Sequence, residues 1–113
     1  MQKAHSELAA RLEQELRRGV LMLCVLSQLR RAQYGYSLRQ LLAEKGMAIE
    51  EGTLYPLLRR MEEQGLLQSE WKIEDGPPRR YYKRSTLGDR VYGDLGESWL
   101  GLTDTIKKLM EAP

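Results

Sequence analysis

The sequence has few of the residues from which disulfide frameworks, metal sites and acid–base catalysts are built. Its 113 residues include one cysteine, Cys24, and one histidine, His5. A single cysteine excludes an intramolecular disulfide, and a single histidine removes most metal sites and most proton-transfer chemistry. The chain also lacks a glycine-rich phosphate loop and a nucleophile beside a histidine. We therefore expect no enzyme, no catalytic residues, no metal and no cofactor.

Long hydrophobic runs and an excess of one charge are missing as well. The longest apolar run, Val20–Leu26, is far shorter than the roughly 20 residues of a membrane span, and the net charge is only +2. The charged stretch before this run is too mixed in sign for a secretory signal, and no small-residue cleavage site follows it. The hydrophobic fraction of 42% and the charged fraction of 30% are ordinary for one small globular domain. We expect a cytoplasmic protein that does not enter a membrane.

The first part of the chain has the pattern of a long helix. Leucines recur at four-residue spacing from Leu8, which predicts one helix over Leu8–Leu29 with a single apolar stripe. The stripe includes Leu12 and Leu16. From Val20 to Leu26 the helix is apolar on every side, which is typical of a buried segment. We expect the first half of this helix to lie on a surface and the second half to run through a core.

Two shorter helices and a hairpin come next. Apolar residues at helical spacing predict helices over about Tyr36–Lys45 and Glu51–Gln64, each followed by a glycine that ends it. Alternation predicts strands over Leu67–Ile73 and Arg79–Ser85, joined by a turn with Asp-Gly and Pro-Pro. This order predicts a mainly α fold with a small β-hairpin, a winged helix-turn-helix, over residues 1–85.

A long closing helix over about Leu87–Met110 completes the chain, and we assign residues 86–113 to dimerisation. At about 24 residues it is roughly 36 Å long and overhangs a body of this size, so its apolar seam lies in water unless a second copy covers it. The exposed half of the first helix has the same problem. The alternative is an amphipathic helix that folds back on its own domain. The predicted dimer contacts are Leu12, Leu16, Leu95, Trp99, Leu102, Ile106 and Leu109.

Three segments resemble the PadR-like transcriptional regulators. They are Tyr34–Leu38, Glu51–Leu67 and Gly76–Tyr82, and the run Gly-Thr-Leu-Tyr-Pro within the second is the most specific. The single closing helix is similar to that of the compact PadR subgroup, and Ser98-Trp99 resembles a pair in small drug-sensing members. The resemblance implies a homodimeric regulator of transcription, a repressor that a small molecule releases from DNA. Arg84 departs from the pattern, because the family usually has an apolar residue there.

A helix-turn-helix places the N-terminal residues of its second helix on base edges in the major groove. Here that helix begins near Gly52, which allows close backbone approach, and Thr53 and Tyr55 lie off its apolar stripe. Alternatively, Tyr55 packs beneath the wing, Arg59 pairs with Glu63, and the basic wing is only solvated. The candidate contacts to double-stranded DNA are Tyr36, Ser37, Arg39, Gly52, Thr53, Tyr55, Arg59, Arg79, Arg80 and Lys83.

Trp99 has two interpretations. It is either a core residue of the dimer interface or one wall of a pocket between two subunits that binds a planar aromatic effector. The leading hypothesis is thus a homodimeric repressor on an inverted-repeat operator. The other is a winged helix that binds proteins without operator binding, and the basic wing argues against it.

Overall fold

A computed structural model of the chain describes residues 2–111. The described part has the predicted fold class, mostly helical with one small antiparallel sheet. Its elements in chain order are α1 (Gln2–Arg18), α2 (Leu21–Ser27), β1 (Gln33–Tyr34), α3 (Gly35–Glu44), α4 (Glu51–Glu63), β2 (Leu67–Lys72), β3 (Arg79–Arg84) and α5 (Thr86–Met110).

The prediction of one long first helix is wrong, because the chain breaks at Gly19–Val20 and forms α1 and α2 separately. Glycine destabilises a helix interior, and the Val20 N–H closes a three-residue turn on the carbonyl of Arg17 at 3.0 Å. The two helices also have different surroundings. No residue of α1 is buried, whereas Val25 and Leu26 of α2 are fully buried. The rest of the apolar run in α2 is only partly covered, so burial on every side is also incorrect.

The sheet has three strands in the order β1–β3–β2, and the first was not predicted. Two residues are too few to show an alternating pattern, so no sequence signal marks this strand. In β1, Gln33 pairs with Tyr82 and Tyr34 with Tyr81. In the hairpin, Trp71 lies opposite Arg80. The hairpin and α4 otherwise agree with the predicted bounds to within about one residue.

The core lies where α2, α3 and α4 meet one face of the sheet. Full burial of each large apolar side chain stabilises the fold by about 1.5–3 kcal/mol, so this cluster holds the three helices and the hairpin together. Its largest fully buried side chains are Val25, Leu26, Leu29, Leu38, Leu54, Leu58 and Met61.

The two outer helices extend away from this core. The described chain measures 56 × 35 × 23 Å, and its radius of gyration is 16.8 Å, whereas a compact domain of this length has about 13 Å. The apolar stripe of α1 and the second half of α5 are exposed in the single chain. Within residues 2–111, no helix carries an apolar stretch long enough to span a bilayer.

Candidate nucleic-acid interface

The start of α4 is open to solvent beside the turn that joins it to α3. Gly46 has a φ of +97°, and its N–H and that of Met47 bond to carbonyls of the last turn of α3, which ends that helix sharply. Leu54 and its neighbours one turn apart bury one face of α4. Gly52 and Thr53 therefore lie on the exposed face, and no atom lies near the position that a Cβ of Gly52 would occupy.

Tyr55 is half-buried against the first residue of α3. A Cβ at Gly35 would collide with the Tyr55 ring, so the glycine makes room for it. The ring also lines a groove of about 380 Å³ between α4 and the wing, together with Arg59 and Trp71. The ring thus packs beneath the sheet, as the packing alternative predicts, and also reaches the groove. Its contact with DNA stays a prediction.

Arg59 lies one turn beyond Tyr55 and is exposed. In the part of the chain that the structure describes, Arg59 forms no ion pair with Glu63. Its guanidinium group is therefore available to a phosphate or a base edge at the mouth of the groove.

The wing separates its basic residues into two sets, as the alternation of the strand predicts. Arg79 is exposed on the outer face, with its guanidinium 4.6 Å above the ring of Tyr34. Lys83 is on the same face and is exposed as well. Both positive charges are thus presented to solvent on one side of β3.

Arg80 points the other way and braces the wing against α4. Its Nη2 donates to Glu62 Oε1 at 2.7 Å, and its Nε donates to Ser69 Oγ at 3.0 Å. Ser69 in turn donates to Glu62 at 2.6 Å. The guanidinium lies 5.4 Å from the ring of Tyr82, whose pKa is raised because burial disfavours the phenolate, with Arg80 opposing this shift and Glu62 adding to it.

The three candidates at the start of α3 have different surroundings. Tyr36 is exposed, and its hydroxyl accepts a hydrogen bond from Gln40 at 3.0 Å. Ser37 is partly buried, with its hydroxyl 2.8 Å from Gln33 Oε1. Arg39 spans the turn to α4, because it donates to the carbonyl of Ile49 at 3.2 Å and to the Glu51 carboxylate at 3.0 Å.

Two residues at this surface were absent from the sequence-based set. Arg18 lines a groove of about 640 Å³ with Arg39 and Thr53, a position that the break after α1 creates and that no sequence pattern showed. Trp71 is 63% exposed on β2 and shares the groove of Tyr55. Its position opposite Arg80 in the hairpin was the signal that could have found it.

The predicted dimer residues of α1 and α5 are exposed, with one exception. Trp99 is 42% exposed in the single chain, and Leu95 is partly buried against the core of its own protomer. The other exposed members of the set are Leu12, Leu16, Leu102, Ile106 and Leu109.

Cys24 lies on the partly buried side of α2 and packs against the core. Desolvation by burial raises the pKa of its thiol above the ordinary value. A raised pKa leaves less thiolate near neutral pH, which agrees with a packing role.

Comparison with known proteins extends these observations. The sequence profile of the transcriptional regulator PadR-like family matches residues 22–94. The crystal structure of a PadR family transcriptional regulator from Eggerthella lenta is 45% identical, with a TM-score of 0.93, and the match covers 98% of this chain and 99% of that one. A PadR-like transcription factor from Bacteroides fragilis is 36% identical, with a TM-score of 0.73 and coverage of 88% and 98%.

A transcriptional regulator from Mycobacterium tuberculosis is 44% identical over 55 residues, which is 49% of this chain and 51% of that relative. The match therefore spans about half the length of this curated relative. The family profile, by contrast, covers the whole winged helix-turn-helix from α2 to the first turns of α5. The chain belongs to the PadR-like family of transcriptional regulators, which are DNA-binding winged-helix proteins and not enzymes.

Proposed function

We propose that this protein is a homodimeric repressor that binds an inverted-repeat operator in double-stranded DNA and leaves it when a planar aromatic molecule binds between the subunits. The observation that carries the proposal is the open start of α4 beside a wing with outward-facing basic residues. Since its target is chromosomal DNA, we place the protein in the cytoplasm.

Thr53 and Gly52 are suited to base edges, because the first turn of α4 is the part that a helix-turn-helix places in the major groove. Threonine offers a hydroxyl to either partner of a base pair and a methyl group to thymine. Tyr55 and Arg59 continue this surface into the groove towards the wing. We assign sequence discrimination to these four residues.

We assign contacts with the DNA phosphate backbone to the basic residues around α4. Arg79 and Lys83 face outward from the wing, and lysine and arginine on such a surface neutralise phosphates and release counterions. Tyr36 offers an exposed hydroxyl near the start of α3. Ser37, Arg39 and Arg80 already have protein partners, so we assign them to holding this surface in shape, with phosphate contact as an additional role.

Dimerisation is supported by the apolar area that the single chain leaves in water. Exposed leucines follow one stripe of α1, and the seam of α5 is exposed from Trp99 onwards. Burial of such side chains is favourable by about 1.5–3 kcal/mol each, and a two-fold axis is the commonest way to cover them. Two recognition helices related by this axis read half-sites about 10–11 bp apart or a multiple of that distance.

The effector site is assigned to Trp99. At a two-fold axis the two Trp99 rings face one another and can enclose a flat aromatic molecule. Asp94 and Glu97 lie within about one turn of the seam, which disfavours strongly acidic ligands. A ligand of this kind releases DNA only if it binds the free geometry better than the bound one, and a coupling of about 1–3 kcal/mol changes operator affinity about 5–150-fold.

The test of operator binding is selection of genomic fragments with the purified full chain, followed by gel shifts on the enriched fragments. The proposal expects one short inverted repeat in those fragments and lower transcription from a promoter that contains it. Enrichment of no sequence, with binding to a protein partner instead, would support the interaction-module alternative.

The test of the effector site uses Trp71→Phe, which leaves Trp99 as the single tryptophan. Planar aromatic compounds should quench its fluorescence and weaken operator binding together. Quenching that leaves operator affinity unchanged, or no quenching by any compound, contradicts the effector assignment and leaves DNA binding intact.

A further inference from the structure

The base of α5 is held at two separate places on the DNA-binding body. The first is the junction between α4 and β2. Ser85 caps α5 by accepting a hydrogen bond from the Gly88 N–H at 2.9 Å, and its hydroxyl donates to the Gly65 carbonyl at 2.6 Å. Gly88 lies so close to the Leu66 carbonyl that a Cβ there would collide with it. This contact fixes the starting point of α5.

The second place is the end of α2. Val91 and Leu95 of α5 pack against the core here, and the Arg84 side chain makes the polar contacts. Arg84 donates from Nη1 to the Leu26 carbonyl at 3.1 Å and from Nε to Asp89 Oδ1 at 2.8 Å. Its guanidinium lies 4.4 Å above the ring of Tyr92. The backbone N–H of Arg84 bonds to the carbonyl of Leu29 at 2.9 Å. The Arg84 side chain is only 11% exposed, whereas the side chain of its partner Asp89 is 61% exposed, so the guanidinium is largely covered and the Asp89 carboxylate faces water.

Two places of contact fix the direction of α5, whereas one place fixes only its starting point. A helix attached only at Ser85 and Gly88 can pivot there, whereas a second attachment about one to two turns along its axis fixes its direction. The planar guanidinium suits this task, because it donates to two acceptors and stacks on a ring at the same time. A tilt of about 10° at the base of a helix roughly 36 Å long moves its far end by about 6 Å.

We propose that Arg84 is a positioning residue that sets the angle between α5 and the DNA-binding body, and thereby the separation of the two recognition helices in the dimer. Tyr92, on which Arg84 stacks, lies seven residues before Trp99 and so on the same stripe of α5. The direction of α5 at its base is therefore the direction of the seam that meets the second copy. The inference rests on the proposed homodimer.

The test measures the distance between the two copies of α4 in the free dimer and needs no operator. A spin label is attached at Glu63→Cys, an exposed position at the end of α4, in a Cys24→Ser background. Double electron–electron resonance then gives the distance distribution between the two labels. The variants are Arg84→Met, which keeps the apolar stem, and Arg84→Lys, which keeps the charge without the planar group. The matched control is Arg90→Met on the exposed side of α5.

We expect one narrow distance for the parent and for Arg90→Met, and a distribution at least about twice as wide for Arg84→Met. Arg84→Lys should resemble Arg84→Met, because the lysine charge alone does not reproduce the planar guanidinium that donates to two acceptors and stacks on Tyr92. The two Arg84 variants should bind an operator with altered half-site spacing almost as tightly as the original operator, with affinities that differ by less than about 3-fold. If Arg84→Met is dimeric and keeps the narrow distance of the parent, the positioning role of Arg84 is overturned and the homodimer is not. A parent chain that sediments as a monomer overturns the homodimer and the inference with it.

Discussion

Gly35 and Gly52 have opposite roles at the two ends of the candidate interface. Gly35 gives space to the Tyr55 ring, and a Cβ there would collide with three of its atoms. Gly52 has open space around it and lies on the exposed first turn of α4. One glycine is therefore needed for packing within the protein, whereas the other is needed only if something outside the protein approaches it.

We predict that Gly35→Ala and Gly52→Ala separate stability from DNA binding. Gly35→Ala should lower the free energy of unfolding by about 1–3 kcal/mol, because it forces Tyr55 out of its site. Gly52→Ala should leave it unchanged or raise it by up to about 1 kcal/mol, yet weaken operator binding. Thermal unfolding and gel shifts measure the two effects. Full operator affinity in Gly52→Ala would contradict close approach of DNA at this residue.

The adjacent arginines of the wing give a second prediction at this scale. Arg79→Ala should reduce the salt dependence of DNA binding by about one phosphate contact, because its charge faces outward. Arg80→Ala should change that slope less and stability more, since it leaves the partly buried Glu62 carboxylate without its ion-pair partner. Binding titrations at several salt concentrations, beside thermal unfolding, distinguish them. Equal slopes for Arg79→Ala and the parent would show that Arg79 does not touch the DNA backbone.

The alternation of residues along β3 predicts that Arg79 and Arg80 lie on opposite faces, but it does not predict which residue either of them contacts. Glu62 is 18 residues from Arg80, and only the docking of β2 against α4 brings them together. The same is true of Arg84, whose partner carbonyl on α2 is 58 residues away. Local periodicity contains no information on such contacts.

At the scale of elements, strong periodicity was a reliable guide and short segments were not. The repeating leucines of α4 and the seam of α5 predicted both helices nearly to their ends. The same kind of pattern continues through Gly19 and predicts one helix where the structure has α1 and α2. Hydrophobic spacing alone does not show where the chain changes direction. Burial of Val25 and Leu26 in the core and the lack of any burial in α1 decide where the chain turns.

The seam of α5 yields a matched pair of substitutions. Leu102 lies on the stripe of Trp99, whereas Leu100 lies about 100° from Trp99 and about 160° from Leu102 around the helix, and both are exposed in the single chain. Leu102→Glu should shift the protein to monomer in sedimentation at micromolar concentration, because it places a charge in the proposed interface. Leu100→Glu should remain dimeric with an unchanged thermal midpoint. The assignment of the seam is contradicted if both variants behave alike.

At the scale of the whole molecule, the chain is a small compact core from which two long helices extend. The core presents α4 and the wing on one surface, and the helices carry the apolar area that a second copy would cover. The candidate DNA-binding surface and the proposed dimer seam thus lie on different parts of the chain, and the base of α5 connects the two. In the proposed dimer, a change at the seam of α5 would reach the DNA-binding surface through this connection.

The most direct test of the account is hydroxyl-radical footprinting of the purified chain on a selected genomic fragment. The account predicts two protected patches related by inversion, with centres about 10–11 bp or a multiple of that distance apart, and two chains on each duplex. One protected patch with a single chain bound would contradict a dimer on an inverted repeat. No protected patch on any enriched fragment would contradict operator binding itself.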